Sequence, residues 1–215
     1  MVEERTAARR SRPLGVGGHL VVAAAGLVVL LACAVVVEDG TVPAAEEDVF
    51  RAVNDLPGWL YPLVWPFLQL GNLVVAVAAG ALVAVLFRRW PVVGAVVLAA
   101  LLKLVLEQVV KASVERERPG TSVGDDVHLR GDVSTGGLSF VSGHAAIATA
   151  VAGLVAPLLP GRWKVVPWVL VAFVALGRVY VGAHNPLDVV GGVGLGLVIA
   201  GVLNAALRFT RLEPA

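Results

Sequence analysis

The stretch PLDVVGGVGLGLVIAGVLNAALR, residues 186–208, decides the fold class of this chain. It contains one acidic residue near its start, Asp188, and no basic residue before Arg208. A helix needs about 20 predominantly apolar residues to cross the hydrocarbon core of a bilayer. The run also lacks the alternation of polar and apolar residues that a membrane barrel strand requires. It therefore predicts a membrane-spanning helix.

Five further apolar stretches precede it, at residues 15–37, 65–87, 91–110, 142–160 and 165–183. The composition agrees, because 58% of the 215 residues are hydrophobic and 15% are charged, whereas soluble domains are about 25% charged. We expect an all-α, polytopic membrane bundle of six transmembrane helices. Its membrane domain would cover residues 14–209, between a basic N-terminal tail at 1–13 and a short C-terminal tail at 210–215.

Basic residues predict the orientation of this bundle. Ten of the 17 Lys and Arg residues fall on one side of the six-span arrangement: Arg5, Arg9, Arg10, Arg12, Arg88, Arg89, Arg162, Lys164, Arg208 and Arg211. The positive-inside rule places that side, with both termini, in the cytoplasm. The net charge of +1 argues against a nucleic-acid partner, which would need a concentrated basic face. The sequence does not indicate an oligomeric state.

Three groups of polar residues lie at the opposite, outer ends of the predicted spans. In chain order they are Lys111 with Arg118 and Pro119, then Ser142, Gly143 and His144, then Arg178, His184 and Asp188. Ionisable groups near membrane depth are costly, and they are retained mainly where they have a function. Their collection at one face predicts a functional site there.

The cations and one helix start predict an anion site. Lys111, Arg118 and Arg178 would offset a multiply charged anion, and the guanidinium fork matches phosphate oxygens. Ser142 is expected to cap a helix N-terminus, so that the amides of Gly143 and the following residue point outward at an anion.

The histidines predict the chemistry. Asn185 and Pro186 are typical of a helix cap and first residue. His184 would then lie just outside the helix, with Asp188 in its first turn, where the carboxylate can hold one imidazole nitrogen. Together with His144 and the three cations, this arrangement predicts a phosphoryl-transfer site that needs no metal and no cofactor.

These residues resemble the three-part signature of the type-2 phosphatidic acid phosphatase superfamily, which includes bacterial lipid phosphatases and undecaprenyl-diphosphate phosphatases. The family pattern is Lys-x6-Arg-Pro, then Pro-Ser-Gly-His, then Ser-Arg-x5-His-x3-Asp. The first part is complete here. Val141 replaces the proline of the second part, and Gly177 replaces the serine of the third. We expect little effect from Val141, whereas Gly177 lacks a hydroxyl that could help to bind phosphate.

The resemblance implies a role for each site residue. His184 would be the nucleophile that forms a phosphohistidine, Asp188 its orienting partner, and His144 the general acid. The phosphate would be held by Lys111, Arg118, Ser142, Gly143 and Arg178.

The implied activity is hydrolysis of a lipid phosphomonoester or diphosphate, such as undecaprenyl diphosphate, phosphatidic acid or phosphatidylglycerol phosphate. The site would face outward from the cytoplasmic membrane. A phosphotransferase that passes the phosphoryl group to another lipid or sugar would use the same residues. A non-catalytic lipid-binding or transport protein is a further alternative, although transporters usually place polar groups near the midplane. A vanadate-dependent haloperoxidase, which shares this kind of anion pocket, is another alternative. Those enzymes are of a soluble type, and the six predicted spans argue against it.

Three further features remain outside this site. Lys103, Glu107 and Lys111 share one helix face, and we expect an ion pair between the first two. Residues 48–54 are compatible with a short amphipathic surface helix. The loop at 120–139 contains Asp125, Asp126 and His128, which we interpret as solvated residues and not as metal ligands; whether this loop acts as a lid stays open.

Overall fold

The computed structural model describes residues 14–134 and 136–209, and this part of the chain is helical. One isolated antiparallel bridge, between Glu117 and Leu138, is the exception to helix and loop. The helices are α1 (Val16–Val36), α2 (Ala44–Asn54), α3 (Tyr61–Gln69), α4 (Leu73–Leu86), α5 (Trp90–Ser113), α6 (Pro119–Ser122), α7 (Gly143–Val155), α8 (Val166–Tyr180) and α9 (Pro186–Phe209). Short 3₁₀ helices lie at Gly58–Leu60, Ala156–Leu158 and Gly161–Val165. The expected all-α class is therefore confirmed.

Helices α7 and α9 form the centre of the bundle. α7 packs against α4, α5, α8 and α9, and α9 packs against α1 and α7. Eleven of the thirteen residues of α7 are buried. α7 is apolar on every side, as expected of a helix in the centre of a bundle, and its alanines let its neighbours approach closely. The first turns of both helices carry predicted site residues, so the best-packed part of the fold positions them.

The predicted span at 65–87 is bent. α3 ends at Gln69 and α4 begins at Leu73, and the direction of the chain bends by 59° between the two helices. The side chain of Asn72 caps the new helix, because its Oδ1 accepts hydrogen bonds from the amides of Val74 at 3.0 Å and Val75 at 3.4 Å. Beside it, a Cβ on Gly71 would lie 2.7 Å from the Cβ of His144. The bend therefore sits directly against the start of α7.

The structure supports part of the predicted span count. Four helical segments of the described residues are long and apolar enough to cross a membrane: Val16–Val36, Trp90–Ser113, Gly161–Tyr180 and Pro186–Arg208. The bent pair would make a fifth. The stretch predicted at 142–160 forms a shorter apolar segment, Gly143–Leu158, so the six-span count stays a prediction. The predicted tails at 1–13 and 210–215 lie outside the described residues.

α2 lies over the end of the bundle where α9 begins, and it includes the short amphipathic helix expected at 48–54. It begins earlier than predicted, at Ala44, and buries Glu46, Phe50 and Asn54, which are spaced four residues apart. Asn54 Nδ2 donates to the carbonyls of His128 and Tyr180, both at 3.0 Å. These bonds attach α2 to the long loop and to the end of α8.

Two side chains of the 120–139 loop that raised the question of a metal, Asp126 and His128, contact α2 and the residue that follows it. Arg51 Nη1 donates to Asp126 Oδ2 at 2.7 Å. His128 Nε2 lies 3.8 Å from Asp55 Oδ1, and both side chains are exposed. Both loop side chains therefore face solvent and neighbouring surface residues.

Glycines bring α1 into direct contact with α9. A Cβ on Gly26 would lie 2.6 Å from the carbonyl oxygen of Gly194 and 2.7 Å from Leu197 Cβ. A Cβ on Gly194 would lie 2.8 Å from the carbonyl oxygen of Gly26. Without water to drive association, helices in lipid rely on such close approach of small residues. The glycines at these positions are thus a packing requirement.

Gly26→Ala should destabilise the protein, because the added methyl group meets backbone atoms of α9 that cannot move aside. We expect a loss of about 1–3 kcal/mol. Gly94→Ala is the matched control, since nothing lies within 4 Å of its Cβ position on α5. That change should be neutral or stabilising by about 0.5–1 kcal/mol, because alanine favours helix. Thermal unfolding in detergent, followed by tryptophan fluorescence, measures both; a Gly26→Ala melting temperature equal to that of Gly94→Ala would contradict the packing argument.

Candidate active site

His184 lies in the short connection between α8 and α9, and its side chain is buried. Its Nδ1 is 3.3 Å from Ser139 Oγ and 3.8 Å from Asp188 Oδ2. Ser139 Oγ donates to Asp188 Oδ2 at 2.5 Å. The structure thus brings His184 and Asp188 together, as the sequence predicted, but a serine hydroxyl bridges them. Because Ser139 donates to the carboxylate, its lone pair is available to accept a hydrogen bond from the imidazole Nδ1–H.

Asp188 also fixes the start of α9. Its Oδ2 accepts a hydrogen bond from the Asn185 amide at 2.8 Å, and its own amide donates to the Asn185 carbonyl at 3.1 Å. This reciprocal pair resembles a capping box, in which an acidic residue in the first turn satisfies an amide at the helix start. The Asn185 side chain does not act as the predicted cap acceptor; its Nδ2 donates to Ser122 Oγ at 3.2 Å. The carboxylate that faces His184 is therefore held by the backbone it caps.

Arg116 is a site residue that the sequence analysis missed. Its side chain is completely buried, and its Nη1 donates to Asp188 Oδ1 at 2.8 Å. Its Nη2 donates to Glu46 Oε2 at 2.6 Å and to the Thr41 carbonyl at 3.0 Å. One feature of the sequence could have indicated it, because Arg116 is a further basic residue between Lys111 and Arg118. Flanking glutamates at 115 and 117 made it resemble a solvated loop residue.

Burial and charge set the protonation states of the groups in these loops. Complete burial lowers the pKa of His184 to about 4, and the cation of Arg178 acts in the same direction against the opposing effect of Asp188. Burial acts to lower the pKa of Arg116, but the carboxylates of Glu46 and Asp188 outweigh it and raise the pKa above its ordinary value. At neutral pH His184 is thus an uncharged imidazole, and Arg116, which binds the Asp188 carboxylate, is a charged guanidinium.

Two further cations converge on the same place. Arg118 Nη1 donates to the Ala183 carbonyl at 3.0 Å, directly before His184, and its Nε donates to the Gly136 carbonyl at 3.1 Å. Arg178, in the last turn of α8, has a buried Nε without a hydrogen-bond partner among the described residues. Buried donors in native proteins are almost always satisfied. An unpaired guanidinium N–H here is suited to an anionic ligand.

The start of α7 has the predicted form. Ser142 is its N-cap, Gly143 its first residue, and His144 follows in the first turn. The Ser142 amide donates to the Asp188 carbonyl at 2.8 Å, which ties the starts of α7 and α9 together. Ser142 Oγ is buried and makes no hydrogen bond to any described residue. The hydroxyl therefore does not cap the helix. Like the Arg178 Nε, it is a buried polar group that could bind a ligand.

Lys111 is linked to the start of α7 by the carboxylate of Glu107, which lies between them. Glu107 Oε1 lies 2.9 Å from Lys111 Nζ, and Glu107 Oε2 lies 2.5 Å from Lys103 Nζ. The expected Lys103 to Glu107 pair is confirmed, and Lys111 shares the same carboxylate. A Cβ on Gly143 would lie 2.5 Å from Glu107 Oε2, so the bridge packs against the α7 backbone. Glycine at 143 leaves room for it.

All eight predicted site residues thus lie at one end of the bundle, at the ends of α5, α7, α8 and α9 or in the loop between them. The Ser142 amide bonds to the Asp188 carbonyl, and Arg118 bonds to the Ala183 carbonyl, so the starts of α7 and α9 and this arginine meet at the same end of the bundle. A cluster of imidazoles and cations of this kind can bind and attack a phosphate group.

Residues 88–211 match the family model of the PAP2 superfamily, which is more than half of the chain. The chain belongs to the PAP2 superfamily. The resemblance drawn from the three sequence motifs is confirmed by this match.

Known PAP2 proteins and their structures are similar to this chain. The decaprenylphosphoryl-5-phosphoribose phosphatase of Mycobacterium tuberculosis is 36% identical over 121 residues, which cover 55% of this chain and 61% of the relative. The structure of Aquifex aeolicus LpxE aligns with a TM-score of 0.64 at 25% identity, over 73% of this chain and 93% of that one. A transmembrane PAP2 type phosphatidylglycerolphosphate phosphatase from Bacillus subtilis shares the fold, with a TM-score of 0.71 at 23% identity, over 89% and 97%.

The structure also explains one departure from the PAP2 pattern. A Cβ on Gly177 would lie 2.7 Å from Leu68 Cδ2 and 3.1 Å from Val64 Cγ1, both on α3. The side-chain direction at this position thus faces the packing contact between α3 and α8. Glycine at this position lets α3 and α8 pack closely, where a serine side chain would meet α3.

Gly143→Ala should weaken anion binding, because its methyl group would displace Glu107 from between the two lysines and shift the first amides of α7. We expect the affinity for orthovanadate, a phosphate mimic, to fall by about tenfold or more, as for the loss of a charge-assisted hydrogen bond. Gly120→Ala is the control, since its Cβ position has no neighbour within 4 Å. Isothermal titration calorimetry of the detergent-purified variants measures the two affinities, and equal values would sink the proposed contact.

Proposed function

We propose that this PAP2 protein is an integral membrane lipid phosphatase that hydrolyses a phosphomonoester or diphosphate of a lipid through a phosphohistidine intermediate. The observation that carries the proposal is the buried His184 imidazole, linked through Ser139 to Asp188, at the same end of the bundle as two buried donors, Ser142 Oγ and Arg178 Nε, that have no hydrogen-bond partner among the described residues. The named activities of the M. tuberculosis and B. subtilis relatives support the same reaction class.

In the first step the Nε2 lone pair of neutral His184 attacks phosphorus. The bond from phosphorus to the lipid oxygen breaks, and His144 gives that oxygen a proton. The attacking ring becomes cationic, and Asp188 stabilises this charge through the Ser139 hydroxyl. Two negative charges on the substrate favour the protonated form of His144 before the step, because a nearby opposite charge stabilises the charged form.

In the second step water hydrolyses the phosphohistidine. His144, now neutral, removes a proton from the water as the oxygen attacks phosphorus. The bond from phosphorus to His184 breaks, the electron pair returns to the imidazole, and inorganic phosphate is released. The same residue thus acts as acid and then as base. Arg118, Arg178 and Lys111 stabilise the charge on the phosphoryl oxygens in both steps.

We place the site on the outer face of the cytoplasmic membrane, in a domain of six spans at 14–209 with both termini in the cytoplasm. α7 and the 3₁₀ helix after it would form the short fourth span. The support comes from charge: Arg88, Arg89, Arg162, Lys164 and Arg208 lie at the helix ends opposite the site residues. None of the acidic residues in the described part of the chain lies in those connections. The positive-inside rule assigns that end to the cytoplasm.

An apolar groove supports a lipid substrate. It lies between α4 and α8 with α7 as its floor, and its volume is about 200 Å³. Its lining begins at Leu70 and Val174, beside the Gly71 that contacts His144, and continues to Leu159. A prenyl or acyl chain in this groove would bring its phosphate to the histidines. Undecaprenyl diphosphate, phosphatidic acid and phosphatidylglycerol phosphate are the substrates to compare.

Phosphate release by the purified protein in EDTA tests this function. We expect release from at least one of the three lipids to continue in the chelator, because no step uses a metal. His184→Ala should reduce it on the order of 10³-fold or more, as expected for loss of a nucleophile. His128→Ala is the matched control, since that histidine is exposed in the loop, and it should keep wild-type activity.

Two outcomes would overturn the proposal in different ways. Substantial release by a folded His184→Ala protein would remove the assigned nucleophile, and a strict requirement for a divalent cation would remove the metal-free mechanism. Loss of lipid phosphate only when a second lipid or a sugar is added would instead identify a phosphotransferase.

The lowered pKa of His184 gives the reaction a characteristic pH dependence. Attack needs the neutral imidazole, so a pKa of about 4 keeps the nucleophile active at lower pH than an ordinary histidine with a pKa of 6.5. We expect kcat/KM, corrected for the ionisation of the substrate phosphate by phosphorus NMR, to stay level down to about pH 5 and then to fall. A corrected acid limb centred near 6.5 would contradict this assignment.

A further inference from the structure

Glu46 is a buried carboxylate outside the family segment at 88–211. It lies in the first turn of α2 and binds Arg116 through both oxygens, at 2.6 Å and 3.1 Å. Arg116 Nη1 donates hydrogen bonds to both Glu46 and Asp188. A charged group buried without a partner is costly, so these three side chains form one electrostatic unit with a net charge of −1.

Asp188 is the member of this unit that faces His184, since its Oδ2 lies 3.8 Å from the imidazole Nδ1. The charged groups that act on His184 are Asp188 from α9, Arg178 from α8 and Arg118 from the loop, and His144 of α7 is coupled to it. Two of these are cations. The negative charge of Asp188 is therefore what stabilises a cationic imidazole at position 184. The more of that charge Arg116 neutralises, the less the cationic imidazole is stabilised.

We propose that Glu46 is a positioning residue for catalysis, which takes up the charge of Arg116 so that the Asp188 carboxylate keeps its own for His184. This inference rests on the proposed phosphatase function. Glu46 touches no reacting atom and acts through Arg116 and Asp188. It would make α2 part of the catalytic machinery, although α2 lies outside the matched family segment.

Neutralising Glu46 and neutralising Arg116 should have opposite effects. In Glu46→Gln the Arg116 charge acts fully on Asp188, so the cationic ring that forms on attack is stabilised less. In Arg116→Gln two carboxylates face each other, and their combined negative charge raises the pKa of His184. The double variant returns the unit to a net charge of −1.

Glu46→Gln also preserves the local structure. Glu46 Oε1 accepts a hydrogen bond from the Leu187 amide at 2.8 Å, and the amide oxygen of glutamine can keep that bond. α2 stays attached through Asn54 and Phe50, which are buried further along the helix. Glu47→Gln is the matched control one position away, because Glu47 is partly exposed and binds Arg51 at 2.8 Å.

The experiment measures kcat, KM and the acid limb of kcat/KM for wild type, the two single variants, the double variant, Glu46→Asp and Glu47→Gln, in detergent. Glu46→Gln should lower kcat by about tenfold, the equivalent of one pKa unit, with KM little changed. Its acid limb should move to lower pH, and that of Arg116→Gln to higher pH, each by about one unit. The double variant and Glu46→Asp should return the limb to the wild-type position, and Glu47→Gln should leave every parameter unchanged.

Two results would overturn the inference. One is equal kinetics for Glu46→Gln and Glu47→Gln. The other is a loss of activity in Glu46→Gln with an unmoved acid limb, because partial misfolding lowers the amount of active protein without changing its pH profile. Absence of phosphate release by the wild type would fail the proposed function itself, whereas an active wild type with either result above would fail only the role of Glu46.

Discussion

The end of the bundle that carries the candidate site depends on the buried Asp188 carboxylate. One oxygen accepts from Arg116, and the other accepts from Ser139 and from the amide that begins α9. A buried carboxylate tolerates low dielectric surroundings only when such partners satisfy it. Because its partners come from the loop after α5, the approach to α7 and the start of α9, satisfying one charge also fixes the relative positions of these segments. The nucleophile is placed as a consequence.

Close helix packing makes this convergence possible. α9 begins at the site and runs between α1 and α7, where glycines at 194 and 196 would bring any Cβ within 2.8 Å of neighbouring backbone carbonyl oxygens. Gly143 and Gly71 play the same part at the site, beside the Glu107 carboxylate and the His144 ring. The small residues that read as membrane composition in the sequence therefore have individual roles. They set the distances between helix ends at which the polar residues meet.

The sequence predicted those parts of the site that depend on local order. The motif residues, the helix starts at 142 and 186 and the Lys103 to Glu107 pair follow from spacing along one helix or turn. The missed contacts join residues 49, 70 and 72 positions apart: Ser139 with Asp188, Arg116 with Glu46, and Arg116 with Asp188. In each case the side chain reads locally as a loop or surface residue, and its burial is decided by tertiary packing. The bend at Asn72 was missed for a related reason, since a continuous apolar run conceals a single capping residue.

The pairing of Arg116 with Glu46 bears on where one functional unit ends and another begins. The family match starts at residue 88, yet the guanidinium inside that segment has half of its countercharge on α2, and α9 has its glycine-lined partner in α1. A truncation at residue 88 would remove Glu46 and leave Arg116 with Asp188 as its remaining carboxylate partner among the described residues. It would also remove α1 and expose the face of α9 that packs against it. Sequence homology and physical autonomy therefore have different limits in this chain. A chimera or an excised domain should therefore keep α2, which neutralises the buried cation, and α1, which packs against α9.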